Sequence, residues 1–253
     1  MSQRVFKASI IIPVFNRAES LSRAVESLDS NHNPIEIVII DDFSTDLTLD
    51  FARSLRSKNG KITVLRNSRK KGAQGARNTG ILHSNSDLII FLDSDDTYFP
   101  GAIDRLILEW EETKDANSWI ISKRENRHVD GNVFLFETLP LDQNVFANPV
   151  PGFGGWVVPR INLIQIGLLN EDCKAYQEWD TAIRLAKLFP VTFSQSLTYV
   201  WNFGSREAIS KDLKLAQRQY LLICLRYWKS IVSRAGIFHL IRNLAIGVFK
   251  FQK

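Results

Sequence analysis

Cysteine is nearly absent: the 253 residues contain two, Cys173 and Cys224, with neither the pairing of a disulfide framework nor the spacing of a zinc site. A reducing compartment is the expectation. No window reaches the roughly 20 apolar residues that a membrane span needs. The apolar run near the N-terminus ends at Pro13, too short for a secretory leader. Cytoplasmic location follows, with peripheral contact to the cytoplasmic face of a membrane left open. Glycine-rich phosphate loops are lacking as well. Gly72, Gly75 and Gly80 do not have GxGxxG spacing, and no GxxxxGK[ST] segment occurs, which excludes the usual dehydrogenase and P-loop signatures. Acidic residues stop before Leu213, and the eight Lys or Arg from there onward stand without a single Asp or Glu. The first 212 residues carry 24 basic and 27 acidic side chains, a net charge of −3, so the pI near 9.2 comes from the C-terminal tail. Basic residues are not grouped with aromatics on a nucleic-acid module, so no nucleic-acid partner is expected.

What is present in the first half is alternation. Ser9 to Val14, Ile35 to Ile40, Ile62 to Leu65 and Leu88 to Leu92 are short β-branched apolar runs, suited to strands buried on both faces of a parallel sheet. Between them, Leu21 to Leu28, Leu47 to Leu55 and Ala73 to Leu82 have helical spacing, giving successive βαβ units. Pro100 and Gly101 open a further helix through Trp110. Trp119 to Ser122 reads as a strand, and Arg127 to Phe136 as a hairpin around Asp130-Gly131. A Pro, Asn and Gly-rich stretch from Thr138 to Gly155 reads as a loop of functional length. Beyond it the spacing predicts a helix over Glu178 to Leu188 and two short strands near Val191 and Leu197 to Trp201.

The acids decide where chemistry is expected. Asp41-Asp42 follows the second strand, and Asp93, Asp95 and Asp96 follow the fourth. In open α/β sheets ligands bind beyond the carboxyl ends of the strands. Either group alone reads equally well as a strand-to-helix turn, with Ser44 and Asp46 as capping residues. Both at one edge point to a ligand. Clustered carboxylates repel unless a cation is present, and hard oxygen donors suit Mn²⁺ or Mg²⁺ beside phosphate oxygens.

Five segments then match a known family in order: SIIIPVFNRAESLSRAVESL (Ser9 to Leu28), IEIVIIDDFSTDLT (Ile35 to Thr48), RNSRKKGAQGARNTGI (Arg66 to Ile81), LIIFLDSDD (Leu88 to Asp96) and AYQEWDTAIRLA (Ala175 to Ala186). Over residues 8 to 205 the chain resembles the family 2 glycosyltransferases. The resemblance implies an α/β fold of the GT-A type, a Rossmann-like, mostly parallel sheet flanked by helices, with a C-terminal helical extension. It implies a nucleotide-sugar donor, UDP-linked by preference, in a pocket lined by Pro13, Phe15, Asn16 and Asp42. Lys71, Arg77 and Asp93 approach the nucleotide, and Asp95 binds the metal, with Asp93 and Asp96 as further ligands. It implies inversion at the anomeric carbon with Glu178 as base and Asp180 as its substitute. Where the family often has Glu-Asp, this chain has Gln177-Glu178, which keeps the charge and adds a methylene. Trp156 and Trp179 read either as acceptor-lining aromatics or as core. The acceptor implied is a glycan or lipid-linked glycan in cell-surface polysaccharide synthesis. A non-catalytic sugar-binding protein and another nucleotide-dependent α/β transferase remain as alternatives.

Three segments are expected: a nucleotide-sugar half over 8–125 and an acceptor half over 126–210, within a 1–210 domain, then a basic tail over 211–253. In the tail, Ile237, Phe238, Ile241, Leu244, Ala245, Val248 and Phe249 recur at helical spacing beside Arg234, Arg242, Lys250 and Lys253. That pattern fits a helix lying in an anionic membrane surface and, equally, one packed on the domain.

Overall fold

The computed structural model describes residues 6–128, 130–136, 144–147, 149–203 and 212–249. Four strands form its first half: β1 (Ala8–Val14), β2 (Ile35–Asp41), β3 (Gly60–Arg66) and β4 (Leu88–Phe91). They alternate with α1 (Ala18–Glu26), α2 (Thr48–Ser54) and α3 (Ala73–His83). β1 pairs in parallel with both β2 and β4, and β2 with β3. Every residue of β1, β2 and β4 is buried, as expected for continuous apolar runs covered on both faces. The period of two divides them cleanly. Ile10, Ile12, Ile37 and Ile39 enter one core, while Ile11, Val38 and Ile40 enter the other.

The chain continues through β5 (Thr97–Tyr98), α4 (Ala102–Glu112), β6 (Trp119–His128), β7 (Val133–Phe136), β8 (Trp156–Pro159), α5 (Arg160–Gln165), α6 (Gln177–Ala186) and β9 (Val191–Phe203). One sheet runs through both halves, in the order β3-β2-β1-β4-β8-β6-β9-β5, with β7 on β6. Parallel pairing holds from β3 to β4. Beyond that the sheet is mixed, because β8 lies antiparallel to both β4 and β6. The hairpin around Asp130-Gly131 is present between β6 and β7. β5, β8 and α5 have no counterpart in the sequence reading, and two expected elements differ in extent. β6 extends six residues past Ser122, through the charged sequence KRENRH that hides its strand character. β9 is a single 13-residue strand rather than two short ones. Its hydrophobic alternation breaks where its register on β6 shifts, between Ile121 and Arg124, yet the pairing continues.

Three helices close the chain: α7 (Leu213–Arg226), α8 (Trp228–Ala235) and α9 (Ile237–Phe249). Asp212 caps α7 through the Leu215 N–H at 2.9 Å. Tyr220, Ile223, Cys224, Ile231 and Leu240 enter the same core as α3 and α6. Gly236, at φ 92°, makes the turn between α8 and α9. No helix among the described residues is long and apolar enough to cross a membrane.

Candidate active site

The site lies where β1, β2 and β4 end. After β1 the backbone turns through Asn16 at φ 50°, and after β2 through Phe43 at φ 64°. Positive φ is costly for non-glycine residues and concentrates at functional loops. Here the two turns hold each other. The Asn16 N–H donates to Ser44 Oγ at 3.0 Å, the Thr45 N–H to Asn16 Oδ1 at 2.8 Å, and the Arg17 N–H to Thr48 Oγ1 at 2.9 Å. Ser44 thus ties two loops together instead of capping α2.

Asp42 is buried with both oxygens occupied: Oδ1 accepts from Asn67 Nδ2 at 2.6 Å and Oδ2 from the Gly72 N–H at 2.8 Å. Gly72, at φ 131°, supplies that N–H from a backbone shape other residues rarely adopt. Phe15 is exposed after β1, and the Lys71 ammonium sits 4.6 Å from its ring centroid. Pro13 is buried inside β1 opposite Ile40, so it shapes the cleft floor through the strand and not as an exposed wall.

Asp93 to Asp96 form a tight turn, the Asp96 N–H bonding to the Asp93 carbonyl at 3.0 Å. Two arginines pair with two of its three carboxylates. Arg17 pairs with Asp95, and Arg77 with Asp93. Burial, then the Asp93 charge, pushes the Asp95 carboxyl above its usual range despite Arg17. Asp96 is raised further, by burial and by repulsion from Asp93 and Asp95, although its Oδ1 accepts the Asn202 N–H at 2.9 Å. Arg77 is itself buried in α3. Its Nη1 donates to Gln74 Oε1 at 2.8 Å, and its guanidinium lies 4.7 Å from the Phe153 ring centroid. Among the described residues, its Nε and Gln74 Nε2 are buried without hydrogen-bond partners.

Glu178 lies in the first turn of α6, which Tyr176 opens at φ 55°. Burial raises its carboxyl, opposed by the positive field of Arg77 and reinforced by Asp93. The same charges that act on the Asp93 turn therefore act on Glu178. Asp180, two positions on, faces another way, since residues i and i+2 do not share a helix face. Its carboxylate accepts from Arg184 Nε at 3.0 Å, Arg226 Nη1 at 3.1 Å and the Tyr227 hydroxyl at 2.9 Å. It is fully buried and anchors α7 and α8 to α6.

The sequence pattern of "Glycosyl transferase family 2" matches residues 9–143. The chain belongs to glycosyl transferase family 2. An uncharacterized glycosyltransferase of Haemophilus influenzae is 24% identical over 234 residues, 88% of this chain and 78% of its own length. The Escherichia coli enzyme named UDP-Glc:alpha-D-GlcNAc-diphosphoundecaprenol beta-1,3-glucosyltransferase is 38% identical over 107 residues, spanning 42% of each chain. This chain thus covers less than half of that relative. S. aureus TarS in complex with UDP-GlcNAc shares the fold, with a TM-score of 0.70 over 97% of this chain and 73% of that one at 17% identity.

In this family 2 glycosyltransferase, Asp42 follows β2 and Asp93, Asp95 and Asp96 follow β4 at the same end of the parallel strands; Arg77 pairs with Asp93, the charges of that pair reach Glu178, Phe15 and Asn16 follow β1, and Lys71 stands over Phe15. Trp156 and Trp179 are fully buried and belong to the core, Trp179 Nε1 donating to the Val145 carbonyl at 2.8 Å. The loop expected over 138–155 is only partly described. Val145 to Ala147 and Phe153 to Gly155 are buried, and residues 137–143 and 148 lie outside the described residues. Sequence reasoning missed Arg17, although it follows the matched PVFN directly. It also missed Arg124 on β6, whose guanidinium lies 4.4 Å from the Trp201 ring centroid and whose charge reaches Asp96 and Glu178.

Proposed function

We propose that this glycosyltransferase moves a sugar from a UDP-sugar to a hydroxyl of a glycan or lipid-linked glycan, with inversion and with help from a divalent metal. The observation that carries the proposal is the Arg77–Asp93 ion pair beyond the end of β4, whose two charges also act on Glu178 in the first turn of α6. Asp42, held rigid by Asn67 and Gly72, presents a fixed acceptor edge to the base or ribose, with Lys71 standing over the Phe15 ring. Arg77 and Gln74 supply buried donors without partners, suited to an anionic diphosphate.

The donor set fits Mn²⁺ or Mg²⁺. It is all oxygen, and burial and the neighbouring Asp93 charge raise the Asp95 and Asp96 carboxyls, a repulsion that a dication would relieve. Among the described residues no three His, Cys, Asp or Glu side chains converge on one point; a bound ion would take diphosphate oxygens and water beside the carboxylates. Asp95 and Asp93 would hold the ion, with Asp96 behind them. When bound, it supplies Lewis-acid neutralisation of the departing diphosphate. Glu178 accepts the proton of the acceptor hydroxyl as that oxygen bonds to the anomeric carbon. The bond from that carbon to the diphosphate breaks on the opposite face, and the electron pair leaves with UDP. The lipid-linked acceptor and peripheral contact with a membrane follow the named substrate of the Escherichia coli relative, and they belong to this proposal.

The test is a thermal-shift series of UDP, GDP, dTDP and CMP, each with Mn²⁺ and with chelator. A ligand at about 100 times its dissociation constant adds ~2.7 kcal/mol to stability, a shift of several degrees. UDP shifting the melt only with metal is the expected result. No shift with any nucleotide in either condition would overturn the donor and metal assignment.

A further inference from the structure

Helices α7 to α9 are apolar on two sides. Their inward side is accounted for: Tyr220, Cys224, Ile231 and Leu240 are buried, and Gly247 packs against Leu221. Asn243 Nδ2 and Arg242 Nη2 both donate to the Ala147 carbonyl, at 2.9 and 2.7 Å. The outward side is also apolar. Ile237, Phe238, Ile241 and Val248 on α9 are exposed, Phe238 at 70%. Positions 237, 241, 245 and 248 follow the helical repeat, so they form one stripe. Trp228 on α8 and Leu225 on α7 are exposed too. An amphipathic helix that only packed on its domain would turn polar groups to this side.

The charges favour one kind of occupant. No Asp or Glu occurs from Leu213 to Lys253, while Lys229 and Arg234 are exposed on α8, the Lys229 ammonium 5.6 Å from the ring centroid of exposed Trp228. A second copy docked through the same face would set these cations against their own copies with no acid in the segment to offset them. An anionic lipid surface offers opposite charge to the cations and an acyl boundary to the apolar stripe.

We propose that the outward face of α8 and α9, centred on Phe238 and Ile241, docks the enzyme on an anionic membrane surface. The inference deepens the lipid-linked acceptor reading above and rests on it only for its purpose. α6 connects the two sites: Asp180 holds Arg226 and Tyr227 at the α7–α8 junction, and Glu178 stands two residues before it. The docking face is thereby fixed in orientation relative to the candidate base.

The test is co-flotation of the full chain with phosphatidylcholine vesicles and with vesicles containing phosphatidylglycerol, at low and high salt. The double variant Phe238→Glu/Ile241→Glu changes only exposed positions, and its melting temperature is measured alongside. Expected is flotation with phosphatidylglycerol vesicles that salt weakens, at least about ten-fold less in the double variant, whose melt and UDP shift match the wild type. Equal flotation of both proteins, or none by the wild type, overturns the proposal. So does a wild-type dimer in solution that the double variant converts to monomer, since the face would then belong to a second copy. The UDP shift is read without vesicles, so failure here and failure of the donor assignment are separate results.

Discussion

Glu178 combines burial, which holds its proton, with the nearby Arg77 charge, which draws it off. Because burial dominates, its carboxyl titrates above the usual glutamate range. A base works deprotonated, so activity should rise with pH through that raised value and level off above it. Glu178→Gln should lower kcat by about 10²–10⁴-fold and leave the UDP-dependent melting shift in place. Steady-state rates across pH check both points. A variant with unchanged kcat would move the base elsewhere. Individual residues were legible where the chain order itself carries chemistry: Asp42, Asp93 and Asp95 end strands that their apolar runs reveal. Arg124 was not, because a basic residue inside a charged stretch gives no sign that folding will bring it within reach of Glu178. Asp180 and Glu178 look alike as letters, and only the 3.6-residue turn separates an anchor from a candidate base.

Among the elements, α3 does most to shape the cleft, and its glycines do so by absence of side chain. A Cβ on Gly75 would lie 1.9 Å from the Lys70 carbonyl oxygen, so Gly75→Ala must displace the loop that delivers the Gly72 N–H to Asp42. A Cβ on Gly80 would lie 2.6 Å from Ile11 Cγ2, in the core between α3 and β1. Gly80→Ala should therefore cost about 1–3 kcal/mol of stability by overpacking while UDP still shifts the melt. Gly75→Ala should lose most of the UDP shift. Thermal shift with and without UDP and Mn²⁺ distinguishes the two. β1 to β4 and α1 to α4 could be read from periodicity because each apolar run is short, continuous and bounded by polar turns, whereas the two-residue β5 is too short to show a period. β6 and β9 resisted because their pairing is irregular, and a register shift erases the alternation that a sequence reading depends on.

On the scale of the whole molecule, one carboxylate joins the C-terminal helices to the body. Asp180 is fully buried with three donors, two of them arginines. Asp180→Ala leaves those cations without their partner and should cost about 3–5 kcal/mol. A lower urea midpoint, with UDP binding intact below the transition, is the expected result. Full stability would mean that core packing alone holds α7 and α8. The loop from Arg66 to Gly72 makes a second long-range connection. It holds Asp42 at one end, while Arg69 and Lys70 pair with Glu171 and Asp172 on the segment that leads into α6. Asn78 ties the same segment to α3, bonding Glu171 Oε1 at 2.8 Å and the Leu169 carbonyl at 2.9 Å. The proposed nucleotide end and the proposed proton-accepting end of the site are thus braced by a common strut, like the two jaws of a fixed-gap gauge. A gauge of that kind sorts what enters by length, so donors whose sugars differ in reach should differ in turnover far more than in how tightly their shared nucleotide is held.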